Sequence, residues 1–250
     1  MSIRLFDVQT GFGGIAPGES SGVSVADLAG EMARLDIAKA LVRTYPDELL
    51  KDVFTANEAL YAACRKHPGM APCPIIVPDT GYETPPVREQ IGRAISEGAG
   101  AVVLRPEQDH WSLAEWASGS LFEALAERRM PAYCDTRAFS LDQVGDLADQ
   151  YPGVPLILAG AEYRQDRTML PLLSTFHNVY LSIGSNYTVH KGVERFVERV
   201  GAGRLLFGTG FPDIEPMMAV ALLMYADIPE DARQHIGADN FERLMGGIRR

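Results

Sequence analysis

Residues 131–158 read PAYCDTRAFSLDQVGDLADQYPGVPLIL, and they hold one complete strand–helix–strand unit. An apolar run at 132–134 is followed by Ser140-Leu-Asp-Gln143. That is a capping box, in which the first and fourth residues satisfy each other's free backbone donors. A helical stretch over 140–151 then leads to a second apolar run at 156–158. Neither run alternates apolar with polar residues, as a strand with one wet face would. Both read as buried parallel strands, with the helix as the crossover that parallel pairing requires.

The same unit recurs in both directions. Runs rich in Val, Ile and Leu fall at 3–8, 37–42, 74–77, 101–104, 132–134, 156–158, 179–181 and 205–207. Helical stretches lie at roughly 25–35, 55–66, 85–97, 119–129, 140–151, 167–176, 188–200 and 214–225. Thr55-Ala-Asn-Glu58 reads as another capping box, and Thr84 before Pro85 as an N-cap with proline in the first turn. One or two short helices are expected over 229–247. Eight strand–helix repeats predict a closed barrel or a large doubly wound sheet. The Gly11-Phe-Gly-Gly14 loop is not a dinucleotide fingerprint, and no P-loop occurs. Nothing marks a second domain. The predicted α/β fold is one (β/α)8 TIM barrel over residues 1–250, a usual length for that architecture.

Thirty-three acidic against 23 basic residues give a formal charge of −10, which argues against nucleic acid and anionic membrane as partners. Cys64, Cys73 and Cys134 show no metal-ligand spacing and read as reduced thiols of a cytoplasmic protein. The first residues reach Asp7 too early for a signal peptide, and no apolar run approaches membrane-spanning length.

Four motifs in order resemble the amidohydrolase-related (amidohydrolase 2) family. They are Phe6-Asp-Val-Gln-Thr-Gly11, Leu156-Ile-Leu-Ala-Gly-Ala-Glu162, Leu205-Leu-Phe-Gly-Thr-Gly-Phe-Pro212 and Asn240-Phe-Glu-Arg-Leu-Met-Gly246. The family reads D-x-H-x-H in the first, a histidine after the second run, F-G-S-D-x-P in the third and N-A-x-R-L-x-G in the last. The resemblance implies a metal-dependent hydrolase or decarboxylase on a TIM barrel, but this sequence departs at the ligands. Gln9 and Gly11 stand for the two histidines, Gly160 for the third, and Gly210 for the aspartate. Asp135 takes the place of a histidine after strand five. Glycine has no ligand atom and a carboxamide is a poor zinc ligand, so no catalytic zinc and no other cofactor is expected. A metal-free lactonase branch keeps the last-strand aspartate as general base, and here Gly210 removes it.

In this fold the site lies at the C-terminal ends of the strands. The polar residues expected there are Asp7, Gln9, Arg43, Asp79, Arg105, Asp135, Glu162, Tyr163, Arg164, Asp166, Asn186, Tyr187, His190, Thr209 and Asp213. Small residues at the lost ligand positions predict a hollow among them. Arg43, Arg105 and Arg164 could converge on a small anion by bidentate forks, or pair with nearby carboxylates as structural ties. Tyr163, Glu162, Tyr187 and Gln9 complete the candidate ligand-binding set. His190, paired with Asp7 or Asp135, is the candidate general base, although a surface role suits it as well. His110 could cover the mouth, and His67, His177 and His235 read as helix-end residues. No serine sits in a nucleophile elbow, and Cys134 points away from Asp135 by strand alternation.

Two readings stand nearly level: a metal-independent hydrolase or lyase acting on a small carboxylate or lactone, and a non-catalytic barrel that binds a small acid or regulates a partner enzyme. A relocated metal site using Asp135, His190 and His110 is a third. The apolar segment 216–225 could mediate a homodimer, or simply pack on the barrel.

Overall fold

The computed structural model describes residues 3–14, 22–45, 52–81, 83–184, 187 and 189–250. Eight parallel strands alternate with helices: β1 (Phe6–Gly13), α1 (Val25–Arg34), β2 (Lys39–Tyr45), α2 (Val53–Lys66), β3 (Met70–Pro72), α3 (Val87–Ser96), β4 (Val102–Val103), α4 (Glu115–Arg128) and β5 (Ala132–Asp135). There follow α5 (Leu141–Gln150), β6 (Leu156–Ala159), α6 (Asp166–Thr175), β7 (Val179–Gly184), α7 (Gly192–Val200), β8 (Leu205–Gly208), α8 (Met217–Met224), α9 (Glu230–Gln234) and α10 (Asn240–Gly246). The ladders run β1-β2-β3 and β4-β5-β6-β7-β8. A parallel bridge between Ile75 and Val103 joins the two groups. At the other seam the Gly210 N–H donates to the Gln9 carbonyl. The strands close into a (β/α)8 barrel.

Two apolar layers hold it. Phe6, Val8, Leu41, Ile75, Val103, Tyr133, Ile157 and Leu206 fill the inside of the barrel, while residues such as Leu28, Phe122, Leu125 and Phe196 pack strands against helices. The N-terminal end is stoppered by α10, whose Phe241 ring meets Phe6 edge-on at 4.8 Å. Asn240 anchors that stopper by donating to the carbonyls of Ala202 and Leu205.

Several local expectations shift. The third strand lies at Met70–Pro72, with Ile75 bonded beyond it, because Asn57 holds both the N–H and the carbonyl of Ile75 and bends the run out of regular pairing. The Ser140 capping box forms as read. Thr55 does not cap α2: Asp52 does, accepting from the Thr55 N–H. Nor does Thr84 cap α3, which starts at Val87 with its N–H bonded to Asp79. Residues 217–224 form α8, apolar on every side; Ala219 and Leu223 are buried, while Met217, Met218 and Tyr225 are exposed. Among the described residues no helix is long and apolar enough to cross a membrane.

Candidate functional site

Inward positions of β2 are Leu41, Arg43 and Tyr45, and of β5 Tyr133 and Asp135, since alternate residues of a strand share a face. At the C-terminal end these side chains meet. The Arg43 guanidinium lies over the Tyr133 ring at 4.2 Å and the Tyr45 ring at 5.1 Å. Its Nη2 donates to the Tyr45 hydroxyl at 3.0 Å, and its Nη1 is 3.9 Å from the Asp135 carboxylate. Arg43 is only 8% exposed, and its Nε has no hydrogen-bond partner; neither has the buried Tyr133 hydroxyl.

Asp135 faces a second arginine. The Arg137 side chain forks onto it through Nε at 3.0 Å and Nη2 at 2.8 Å, and the Arg137 backbone N–H adds a third bond. Burial alone would raise the Asp135 pKa, but these bonds and the charges of Arg43 and Arg137 outweigh it and hold the carboxyl below its ordinary range. Arg137 also reaches Asp213 at 3.3 Å, with both side chains exposed at the rim. Charges therefore alternate from floor to rim: Arg43, Asp135, Arg137, Asp213.

Asp7 plays a different part. Its carboxylate accepts the N–H groups of Gln9 and Thr209 and the Thr209 hydroxyl, tying β1 to the end of β8. Burial, opposed by these bonds, leaves its pKa raised. Gln9 is also inward, and its carboxamide oxygen accepts from Ser182 at 3.1 Å.

The other sequence candidates lie apart from this cluster. His190 is exposed after β7, and the expected pairing with Asp7 or Asp135 does not form, because those carboxylates are held by Thr209 and Arg137. Two of the three arginines have partners close in sequence. Arg105 forks onto Asp109 four residues on, at 2.7 and 3.0 Å, and Arg164 is exposed over its neighbour Tyr163. Glu162 and Tyr163 are exposed beside it. Tyr187 is buried between α6 and α7, its hydroxyl engaged with Asp166 and Arg195, outside the barrel lumen. Asn186 lies outside the described residues. Tyr45, Tyr133 and Arg137 were missed, although strand alternation from Arg43 and Asp135 points to both tyrosines.

The predicted hollow is partly filled. A β-carbon built on Gly11 would lie 2.4 Å from the Arg43 carbonyl oxygen and 2.6 Å from the Tyr45 ring. One built on Gly160 would meet Asp135 and Thr136 at 3.2 Å. A cavity of about 680 Å³ opens at the opposite, N-terminal end, lined by Arg4, Lys39, Glu97 and Glu242. Its charges pair with one another, as Lys39 does with Glu242 and Arg65 with Glu97, which suits a stabilising face.

These residues do not fit a divalent cation. The Gln9 oxygen is engaged, positions 11, 160 and 210 carry no ligand atom, and both Asp135 oxygens accept from Arg137. A guanidinium beside a metal would add repulsion of about 4 kcal/mol per unit charge at ~4 Å in a partly screened site. Among the described residues no three His, Cys, Asp or Glu side chains converge as a metal group.

Barrel, motifs and site together point to one class, the amidohydrolase-type TIM barrels. The Amidohydrolase family model matches residues 16–247, and the chain belongs to that family. No curated protein matches the sequence. Among solved structures, an uncharacterised TIM-barrel protein from Bordetella bronchiseptica is similar at TM-score 0.73 and 18% identity, over 90% of this chain and 83% of that one. The 5-carboxyvanillate decarboxylase of Sphingomonas paucimobilis is similar at TM-score 0.70 and 15% identity, over 98% and 99%. A putative 2-pyrone-4,6-dicarboxylic acid hydrolase from Pseudomonas putida is similar at TM-score 0.71 and 14% identity, over 99% of both.

Proposed function

We propose that this chain is a hydrolase or lyase that acts on a small carboxylate or lactone at the barrel mouth without a catalytic metal. The observation that carries this reading is Arg43: a buried guanidinium at the C-terminal end of β2, beside Asp135, with one N–H unpartnered. Beside Asp135 this chain carries a fixed positive charge of its own. That charge can hold an anion or an oxyanion that develops during reaction. Asp135, kept ionised by Arg137, is the carboxylate beside that guanidinium. The decarboxylase and hydrolase neighbours act, by their names, on small carboxylates, which supports the same substrate class.

The test is turnover of 2-pyrone-4,6-dicarboxylate and 5-carboxyvanillate by chelator-treated protein, followed by ultraviolet absorbance. Turnover that chelator does not slow supports the reading. Turnover that appears only with added zinc or manganese overturns it. A second reading, a barrel that binds a small acid without converting it, is favoured by the engagement of both buried carboxylates, Asp7 by Thr209 and Asp135 by Arg137. Binding of these acids without turnover would select it.

A further inference from the structure

We propose that Arg43 Nε and the Tyr133 hydroxyl form a carboxylate subsite at the floor of the mouth; this rests on the anion reading above and gives it specific donors. Buried polar atoms in folded proteins nearly always have partners, and each orphan carries a desolvation cost on the order of 1–3 kcal/mol. Here two orphans belong to side chains stacked on one another, with the Arg43 guanidinium carbon 4.2 Å from the Tyr133 ring centroid. Both residues are more than nine-tenths buried.

The setting decides what they take. The Tyr133 ring lies against the guanidinium and the Tyr45 hydroxyl takes one Nη2 N–H, which leaves the Nε side of the edge for a ligand. Asp135, at 3.9 Å, balances the charge without reaching hydrogen-bonding distance. The edge is left with a cationic donor and a hydroxyl, and no described acceptor meets either orphan. An acceptor with negative charge suits that pair, and a planar carboxylate matches the guanidinium edge best. Both atoms are enclosed in the free protein, so a ligand reaches them by displacing neighbouring side chains.

The two donors make opposite demands on a test of stability and a test of binding. Tyr133→Phe removes a hydroxyl that has no partner in the free protein, so the thermal midpoint should hold or rise. Arg43→Lys keeps the charge and loses the edge. Benzoate, with benzamide as the neutral analogue, is titrated calorimetrically into wild type and both variants, with circular dichroism to confirm folding. The expected result is benzoate binding to wild type, weakened about tenfold or more in each folded variant, and no binding of benzamide. Should Arg43→Lys not fold, Tyr133→Phe alone decides. Wild-type affinity for benzoate in Tyr133→Phe, or a loss of stability in that variant showing that the hydroxyl held an internal water, overturns the subsite. So does failure of benzoate to bind wild type. If either acid named above is still turned over, the proposed function survives that loss; if neither acid is bound or converted, both fall.

Discussion

Asp7 and Thr209 fasten the seam of the barrel, the Asp7 carboxylate accepting both the backbone N–H and the hydroxyl of Thr209. No regular ladder joins β1 to β8, so these side-chain bonds and the Gly210-to-Gln9 backbone bond do the work of one. Asp7→Ala should strand two buried N–H groups and a hydroxyl, and destabilise by about 2–4 kcal/mol in urea melts. Asp7→Asn keeps an acceptor and should cost less. Because burial raises the Asp7 pKa above its ordinary 3.8, its contribution is full at low pH and lost as pH rises through the folded value. Wild type should therefore lose ground to Asp7→Asn as pH is raised from about 4 towards neutrality. A gap that widens in favour of wild type would refute this.

Asp135 has the opposite sign. Although burial works against its charge, the Arg137 fork and Arg43 depress its pKa, so its stabilisation is present above the ordinary value of 3.8 and lost as pH falls through the lower folded value. Asp135→Asn should flatten the acid limb of the stability curve below about pH 4. Arg137→Met should shift that limb upward, as read by thermal midpoints across pH.

Glycines offer a direct contrast. A β-carbon on Gly184 would lie 1.8 Å from the Gly208 carbonyl oxygen, where β7 and β8 press together. Gly184→Ala should cost more than about 3 kcal/mol. Gly30 and Gly92 lie exposed within α1 and α3, with nothing within 4 Å of the added carbon. Alanine at either should stabilise by about 0.5–1 kcal/mol in chemical denaturation.

His190 is exposed and contacts neither buried carboxylate. His190→Ala should leave stability within about 0.5 kcal/mol and leave any turnover of the two acids unchanged. A loss of rate without a loss of fold would return it to the catalytic set.

Much of this molecule was legible in the sequence. Unbroken apolar runs separated by helical stretches give eight strand–helix repeats, which length and the family resemblance turn towards a barrel rather than an open sheet, and Ser140 and Gln143 cap α5 as their spacing dictates. What a run cannot reveal is where it leaves regular pairing, as at Ile75, because the cause is Asn57 on a neighbouring helix. The site was half legible. Arg43 and Asp135 are inward by strand position, and they do lie together. Arg105 and Arg164 looked equivalent to Arg43, yet their partners Asp109 and Tyr163 are sequence neighbours that hold them locally. Choosing between a distant partner and a near one depends on loop geometry, which spacing does not encode.

The crowding around Gly11 bears on how such a barrel can change. With the Arg43 carbonyl oxygen 2.4 Å from where a β-carbon would stand, no side chain re-enters that position while β2 keeps its place. Moving Tyr45 aside would clear the ring but not the backbone. A side chain at position 11 therefore demands a shift of the β2 backbone as well as of Tyr45.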